Sequence, residues 1–549
     1  MAQKYGTIGE YNRRHNTSHA SFDEVGEALL ADARATGNFS EFVEWRAFNV
    51  DRWCEAIRVM CDGARAECPD VRVSCLNTFG PHALSGNDYY KLLTKTGVGY
   101  SSEYMSMVYF GKNPKLTFDE VYRSFRPDMR VWGYTGYFYT TDRARILPWW
   151  TACHRYGGFT WFAATSWGYN LIDLPGYALT RDGADLAQSL RDSKMLDGLG
   201  KVLTCWEWAP RDVAILYSHA SMVVSTCLGK EDGANQVLAG SPYYNHLHSR
   251  LGAQHLVESL LVQHDYVAPE QVEKGALGKY RLLLMPRVVA MSDAEVAAVK
   301  AFVRAGGKVV ADALPGDYDE LGVKRAANPF APGEIEVTGA NFAADDAAQR
   351  VAMLARFEQA KVRKVLSSPT VVGHLGREAM HYVSGAADVY CVIRMPDWAK
   401  DADEETFVFE KPGYVYDVRA GRCLGRGDRV TAKVPNADAV CYAVLPSRVE
   451  GIDVAAPAGV ARGGDLVADF AVRTSAEGAA AETPAYVLHV EVVPPSGKVR
   501  FHFKRNLMTQ GGRAHLVFPI AFNDEPGEWK LRVTEPLTGV TAERALSVR

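Results

Sequence analysis

At 549 residues the chain exceeds what one hydrophobic core can hold, and roughly 100–200 residues per domain predicts three to five units. Its 61 basic and 65 acidic side chains, with a formal charge of −4, give no electrostatic footing for nucleic acid, and 47% hydrophobic with 23% charged residues is ordinary globular composition. The start Met1-Ala2-Gln3-Lys4-Tyr5 has no apolar leader core and no later segment reaches the roughly 18 apolar residues of a spanning helix, so no membrane partner is expected.

In chain order, Glu41–Cys68 carries Phe42, Trp45, Phe48, Trp53, Ile57 and Met60 at helical spacing, with Pro69-Asp70 as a stop, which predicts a long amphipathic helix. Cys54, Cys61, Cys68 and Cys75 recur every seven residues, the first three along one face of that helix. No C-x-x-C pair occurs among the ten cysteines, so buried or half-buried thiols, a reducing history and no metal or cofactor are expected.

Strand Val71–Leu76, helix Asp88–Thr94, a strand beginning near Val98, helix Phe118–Phe125, strand Arg130–Tyr134, helix Ala144–Tyr156, strand Phe159–Ala164 and helix Asp182–Leu199 then alternate. Four such alternations are the signature of a parallel α/β sheet. From Asp212 to about Gly322 follow strand Val213–Tyr217, helix Tyr244–His264, strand Tyr280–Met285, helix Ser292–Ala305, Gly306-Gly307 and strand Lys308–Ala311, a small doubly wound unit. Beyond about Ser368, alternating runs such as Val389–Ile393, Tyr414–Val418 and Val440–Leu445 between Gly, Pro and Asp turns predict β-sandwich modules, with a boundary near residue 450.

The collinear order of several segments resembles the family 42 glycoside hydrolases of the β-galactosidase type. Lys4-Tyr5-Gly6-Thr7-Ile8, Tyr11-Asn12 and Ser21-Phe22-Asp23-Glu24-Val25 look like the segment after that family's fourth barrel strand, and Phe42–Asp70 like the long helix before its fifth. Pro175-Gly176-Tyr177-Ala178-Leu179-Thr180-Arg181-Asp182-Gly183 resembles the exit from the eighth strand. Tyr280–Pro286 and Phe302–Val310 resemble its trimerisation domain.

The resemblance implies an α/β multidomain chain: the C-terminal half of a (β/α)8 TIM barrel over 1–205, a trimerisation-type doubly wound domain over 206–367, a β-sandwich over 368–449 and a second, Ig- or fibronectin-like one over 450–549. Only four βα units are found, so the chain reads as N-terminally truncated and the native product is expected to be longer. Hydrolysis of β-galactosides or related β-glycosides is implied, with a carbohydrate substrate and a homo-trimer; the alternative is a non-catalytic carbohydrate-binding or scaffold protein.

Barrel enzymes place chemistry at the C-terminal ends of the strands, and a retaining glycosidase needs two carboxyl groups there about 5–5.5 Å apart. The family's acid/base Glu would fall before Met1 and has no counterpart, so this chain alone is expected to be inactive, while Tyr134-Thr135-Gly136-Tyr137 stands where the nucleophile Glu should end the seventh strand. Glu103 is the only carboxylate at the four visible strand ends, among Tyr100, Tyr104 and Tyr109, and is the catalytic candidate. Asn77, Tyr134, Tyr137 and Trp167 are the expected substrate-binding residues, the aromatic rings offering faces on which a sugar stacks. Glu10 reads as a surface helix residue, Asp173 as a loop cap, and His82 and His154 as structural or surface histidines. The doubly wound unit has neither G-x-G-x-x-G nor a nucleophilic Cys after Met285, so assembly is its expected role.

Overall fold

The long helix forms over Ser40–Glu67, and its inward face runs through Val43, Val50, Cys54, Ile57 and Cys61, all buried. That set steps by 7, 4, 3 and 4 residues, the repeat of a helix seam. Trp53 and Met60 sit one residue behind Cys54 and Cys61, about 100° round the axis, and are exposed with Phe48. The stripe expected through Phe48, Trp53 and Met60 is therefore out of phase, and Cys68, just past the last turn, is exposed.

The computed structural model describes all residues except 78–87, 105–106, 111–112, 117–118, 129, 136–140, 162–170, 174, 230–243, 343–346, 370–375, 396–403 and 476–482. They fall into two units, Met1–Tyr134 with Arg211–Lys364, and Thr135–Pro210 with Val365–Arg549.

In the first unit, β1 (Ser74–Asn77), β2 (Tyr100–Tyr104) and β3 (Arg130–Thr135) run parallel. Tyr100 opens β2, which begins later than the expected start near Val98: Gly97 turns at a φ of 75°, a conformation that favours glycine, and the Gly99 N–H donates to the Val73 carbonyl at 2.9 Å before the ladder starts.

The same unit contains an all-parallel sheet of β4 (Val213–Leu216), β5 (His264–Val267), β6 (Leu282–Met285), β7 (Lys308–Ala311) and β8 (Glu336–Val337), in the spatial order β5-β4-β6-β7-β8. Every residue of β4 and β6 is buried, as both-face burial demands of apolar four-residue runs. The helix expected over Tyr244–His264 ends at Ser259, because Leu261 adopts φ 59° and the freed chain enters β5. Helix Asp293–Arg304 starts on a reciprocal cap between Ser292 and Glu295 and ends in Gly306-Gly307, where a Cβ at 307 would strike the Phe302 ring. A helix not read from the sequence, His219–Leu228, is capped by the Ser218 hydroxyl accepting from the Ser221 N–H at 3.1 Å.

In the second unit, Arg377–Ser384, Ala387–Arg394, Glu405–Asp417, Arg422–Ala432 and Asp438–Leu445 build one antiparallel sheet, to which Glu207–Trp208 adds an edge. Helix Thr141–Cys153 lies against it with Trp149 and Trp150 buried, and the Tyr382 hydroxyl donates to the Cys153 carbonyl. The remaining strands form a three-stranded sheet, Val449–Ala455, Asp465–Thr474 and Arg513–Pro519, and a five-stranded one containing Val487–Val493 and Gly527–Thr534. Leu466 and Phe470 from one share a core with Leu488, Trp529 and Leu531 from the other, a two-layer β packing.

Candidate functional site

The parallel register sets Asn77, the last residue of β1, beside Glu103 of β2, and Glu103 beside Gly133 of β3. One row further, Tyr104 pairs with Tyr134. Adjacent strands lie about 4.8 Å apart, so Asn77 and Glu103 are neighbours at the carboxyl edge of these strands. Glu103 is the fourth of five residues in β2, one row inside the end of its strand. Tyr137, Trp167 and His82 lie outside the described residues.

The residues that carry the N-terminal resemblance have structural partners. Lys4 Nζ donates to both Glu44 oxygens at 2.9 Å and the Tyr5 hydroxyl to Oε2 at 3.1 Å, while the Tyr11 hydroxyl donates to Glu41 at 2.9 Å. Burial, reinforced by Glu44 and Glu41 respectively, pushes the Tyr5 and Tyr11 hydroxyls well above the usual phenol range, so both remain donors. Asn12 holds the turn after its helix, accepting from Thr17 Oγ1 at 2.9 Å and the His19 N–H at 3.0 Å. Glu10 is exposed and bonded to Arg13, whose hydrogen bond holds its carboxyl below the usual range. His154 is buried with Nε2 3.1 Å from Glu378, and Asp173 caps its own turn through the Gly176 N–H at 3.2 Å.

A second constellation, absent from the sequence reading, lies in the first unit at the carboxyl ends of β4 to β7. There a cavity of about 260 Å³ is lined by Tyr217 and His219 after β4, Glu270 after β5, Glu295 after β6 and Glu320 after β7, together with Glu44 and Asp88. Glu295 is 3% exposed; one oxygen accepts from the Ser292 N–H at 2.8 Å, and Oε1 has no partner. Burial pushes its carboxyl up to about 8, with Glu273, Glu270 and Glu320 adding to the effect. Burial lowers the His219 imidazole to about 3, leaving it neutral, and Nε2 is out of solvent without a partner. The signal that could have found part of this site is positional: the segments carrying Tyr217, His219, Glu270, Glu295 and Glu320 each come after a strand of the doubly wound sheet. Among the described residues, no three His, Cys, Asp or Glu side chains converge as a metal site, and no helix is long and apolar enough to cross a membrane.

Parallel strands, a doubly wound unit and antiparallel β-sheets together make a mixed α/β architecture. In particular, the fold is a divergent version of that seen in GH42 β-galactosidases. The enzyme from Bacillus circulans sp. alkalophilus superposes with a TM-score of 0.59 at 14% identity over 81% of this chain and 75% of that one. A catalytic mutant of a GH42 β-galactosidase from G. stearothermophilus gives 0.60 at 12% over 81% and 74%. The GH42 exo-carrageenase from Bacteroides ovatus gives 0.54 at 14% over 81% and 61%. No protein-family profile matches the sequence, nor does any curated protein.

Proposed function

We propose that this chain is a GH42-like glycoside hydrolase by lineage, its reaction the cleavage of O-glycosidic bonds of β-galactosides or related β-glycosides, with Glu103 supplying one of the two carboxyl groups that reaction requires. The observation that carries this reading is the register of Glu103 with Asn77 at the carboxyl edge of parallel strands, in a fold shared with GH42 enzymes. In this reading Glu103 is the carboxyl group that handles the proton or the anomeric carbon, Asn77 hydrogen-bonds a sugar hydroxyl, and Tyr134, Tyr137 and Trp167 give the stacking wall. Residues 1–205 supply the barrel-derived part, 206–367 a trimerisation-type domain, and 368–449 and 450–549 β-modules; light scattering on the purified chain tests the trimer, which a monomer at working concentration would refute.

The test is hydrolysis of p-nitrophenyl β-D-galactoside by the chain and by Glu103→Gln. Loss of a charged catalytic group lowers kcat by about 10²–10⁴-fold. A second reading, a non-catalytic carbohydrate-binding or scaffold protein, is favoured by Tyr134-Thr135-Gly136-Tyr137 where the resemblance asks for a carboxylate. It expects no turnover in either protein and sugar affinity alone to fall in the variant.

A further inference from the structure

In open parallel sheets, ligands sit outside the carboxyl ends of the strands, where the strand order reverses. The order β5-β4-β6-β7-β8 places that reversal between β4 and β6, and the cavity is walled by His219 after β4 and Glu295 after β6. We propose that this cavity is a binding site for a small organic cation, a primary amine or guanidinium compound held by Glu295 and Glu270. The proposal is independent of the glycosidase reading.

The charges around the cavity decide the ligand's sign. Six acidic side chains line it, Glu44, Asp88, Glu270, Glu273, Glu295 and Glu320, with Glu295 held protonated by burial, against the cations Lys4 and Lys91 and a neutral His219. Both lysines are already engaged, Lys4 with Glu44 at 2.9 Å and Lys91 with Asp51 at 2.8 Å, so neither offers a free charge to an anion. Arg14 occupies Glu320 at 2.7 Å, the Ser292 hydroxyl donates to Glu273, and Asp88 caps the helix Tyr89–Lys95. Glu270 has no ion-pair partner among the described residues, and Glu295 Oε1 is bare.

A buried carboxyl oxygen without a donor costs about 1–3 kcal/mol, and a ligand N–H would relieve that cost. Burial also keeps Glu295 protonated when the cavity is empty, and an incoming cation would favour its ionised form. The carboxylates are spread round the cavity rather than gathered on one point, which suits a ligand with several N–H donors better than a metal ion. The Tyr90 and Tyr217 side chains in the wall add aromatic surface for its methylene groups.

The experiment is isothermal titration of the full chain with putrescine, agmatine and the neutral isostere 1,4-butanediol, repeated on Glu295→Gln and Glu270→Gln. Glutamine preserves the reciprocal cap with Ser292, so Glu295→Gln keeps its helix start, and its melting temperature serves as the folding control. The expected result is saturable binding of at least one amine, none of butanediol, and at least tenfold weaker amine binding in each variant. Absence of saturable amine binding, equal binding of butanediol, or amine affinity unchanged in both variants would overturn the proposal.

Discussion

Asp212, buried at the entrance to β4, grips Arg363 near the end of the first unit: one carboxylate oxygen accepts from Nη2 at 2.6 Å, the other from Nε at 2.9 Å and from the Arg363 backbone N–H at 2.8 Å. Its own carbonyl accepts from the Arg281 and Leu282 N–H groups, so one residue ties the starts of β4 and β6 to the departing chain. Burial alone would raise this carboxyl; Arg363, with Arg281 behind it, outweighs burial and holds it below the usual range. A depressed folded pKa gives stability that is present above the unfolded value near 4 and is lost as pH falls through the folded one. Asp212→Asn is expected to lower stability by roughly 1.5–3 kcal/mol at neutral pH, a difference that shrinks in acid. Urea unfolding at pH 7 and pH 3 measures both numbers.

Glu535 in the second unit has the opposite sign. It is fully buried, and burial raises its carboxyl to about 7 against the hydrogen bonds from Thr538 and Leu537 that favour the ionised form. Between about pH 4.5 and 7 the folded chain keeps a proton that the unfolded chain has released, so stability falls as pH rises through that window and is level above it. The fall is on the order of 3 kcal/mol. Glu535→Gln is expected to remove this slope, as read by denaturant midpoints across pH 4–8.

The doubly wound unit was legible because β4 and β6 are uninterrupted apolar runs and Gly306-Gly307 marks the turn before β7. β5 was hidden by His264 and Asp265, whose polarity reads as surface; in the fold, Arg211 and the Tyr280 hydroxyl satisfy Asp265 beside the sheet. The long helix was legible in extent and at Phe42 and Ile57, which are buried, but misread at Trp53 and Met60, whose bulk suggests burial although the smaller neighbours Cys54 and Cys61 face inward. Glu103 and Asn77 were each named from the sequence, but their shared row depends on the turn at Gly97 and Gly99, which no periodicity carries. The acid-lined cavity draws on separate segments between Lys4 and Leu321, so no single stretch of sequence carries it.

The cysteines divide by environment, and their reactivity should follow. Cys68 and Cys423 are exposed, Cys205 is intermediate, and Cys54, Cys61, Cys153, Cys227, Cys391 and Cys441 are buried. Burial pushes the Cys54 and Cys227 thiols up to about 12, and Cys391 is raised by burial and by its neighbours Cys153 and Cys441, the latter with sulfurs 3.2 Å apart. Thiolate is the reactive form, so Ellman's reagent is expected to modify Cys68 and Cys423 rapidly in the native chain and the six buried thiols only after denaturant is added. Peptide mapping of the fast-labelled fraction identifies them; rapid labelling of Cys391 or Cys441 would contradict the packing.

Gly183 sets two effects against each other. It sits in the first turn of helix Arg181–Asp192, where Ala would ordinarily gain about 1 kcal/mol over Gly. A Cβ there would meet the Leu171 carbonyl oxygen at 2.1 Å, and that same oxygen accepts the Thr180 N–H at 2.9 Å while the Thr180 hydroxyl caps the helix through the Gly183 N–H at 3.2 Å. The obstructing atom is backbone, so the helix start and the Leu171 strand entry would have to part, at a cost of about 1–3 kcal/mol for overpacking plus the weakened cap. Gly183→Ala is therefore expected to lower the melting temperature of the second unit. Gly63, inside the long helix with open space for 4 Å around the point a Cβ would occupy, is the control at which the same change should raise stability. If calorimetry shows both substitutions stabilising, the close approach of Gly183 to Leu171 is not a feature of the protein in solution.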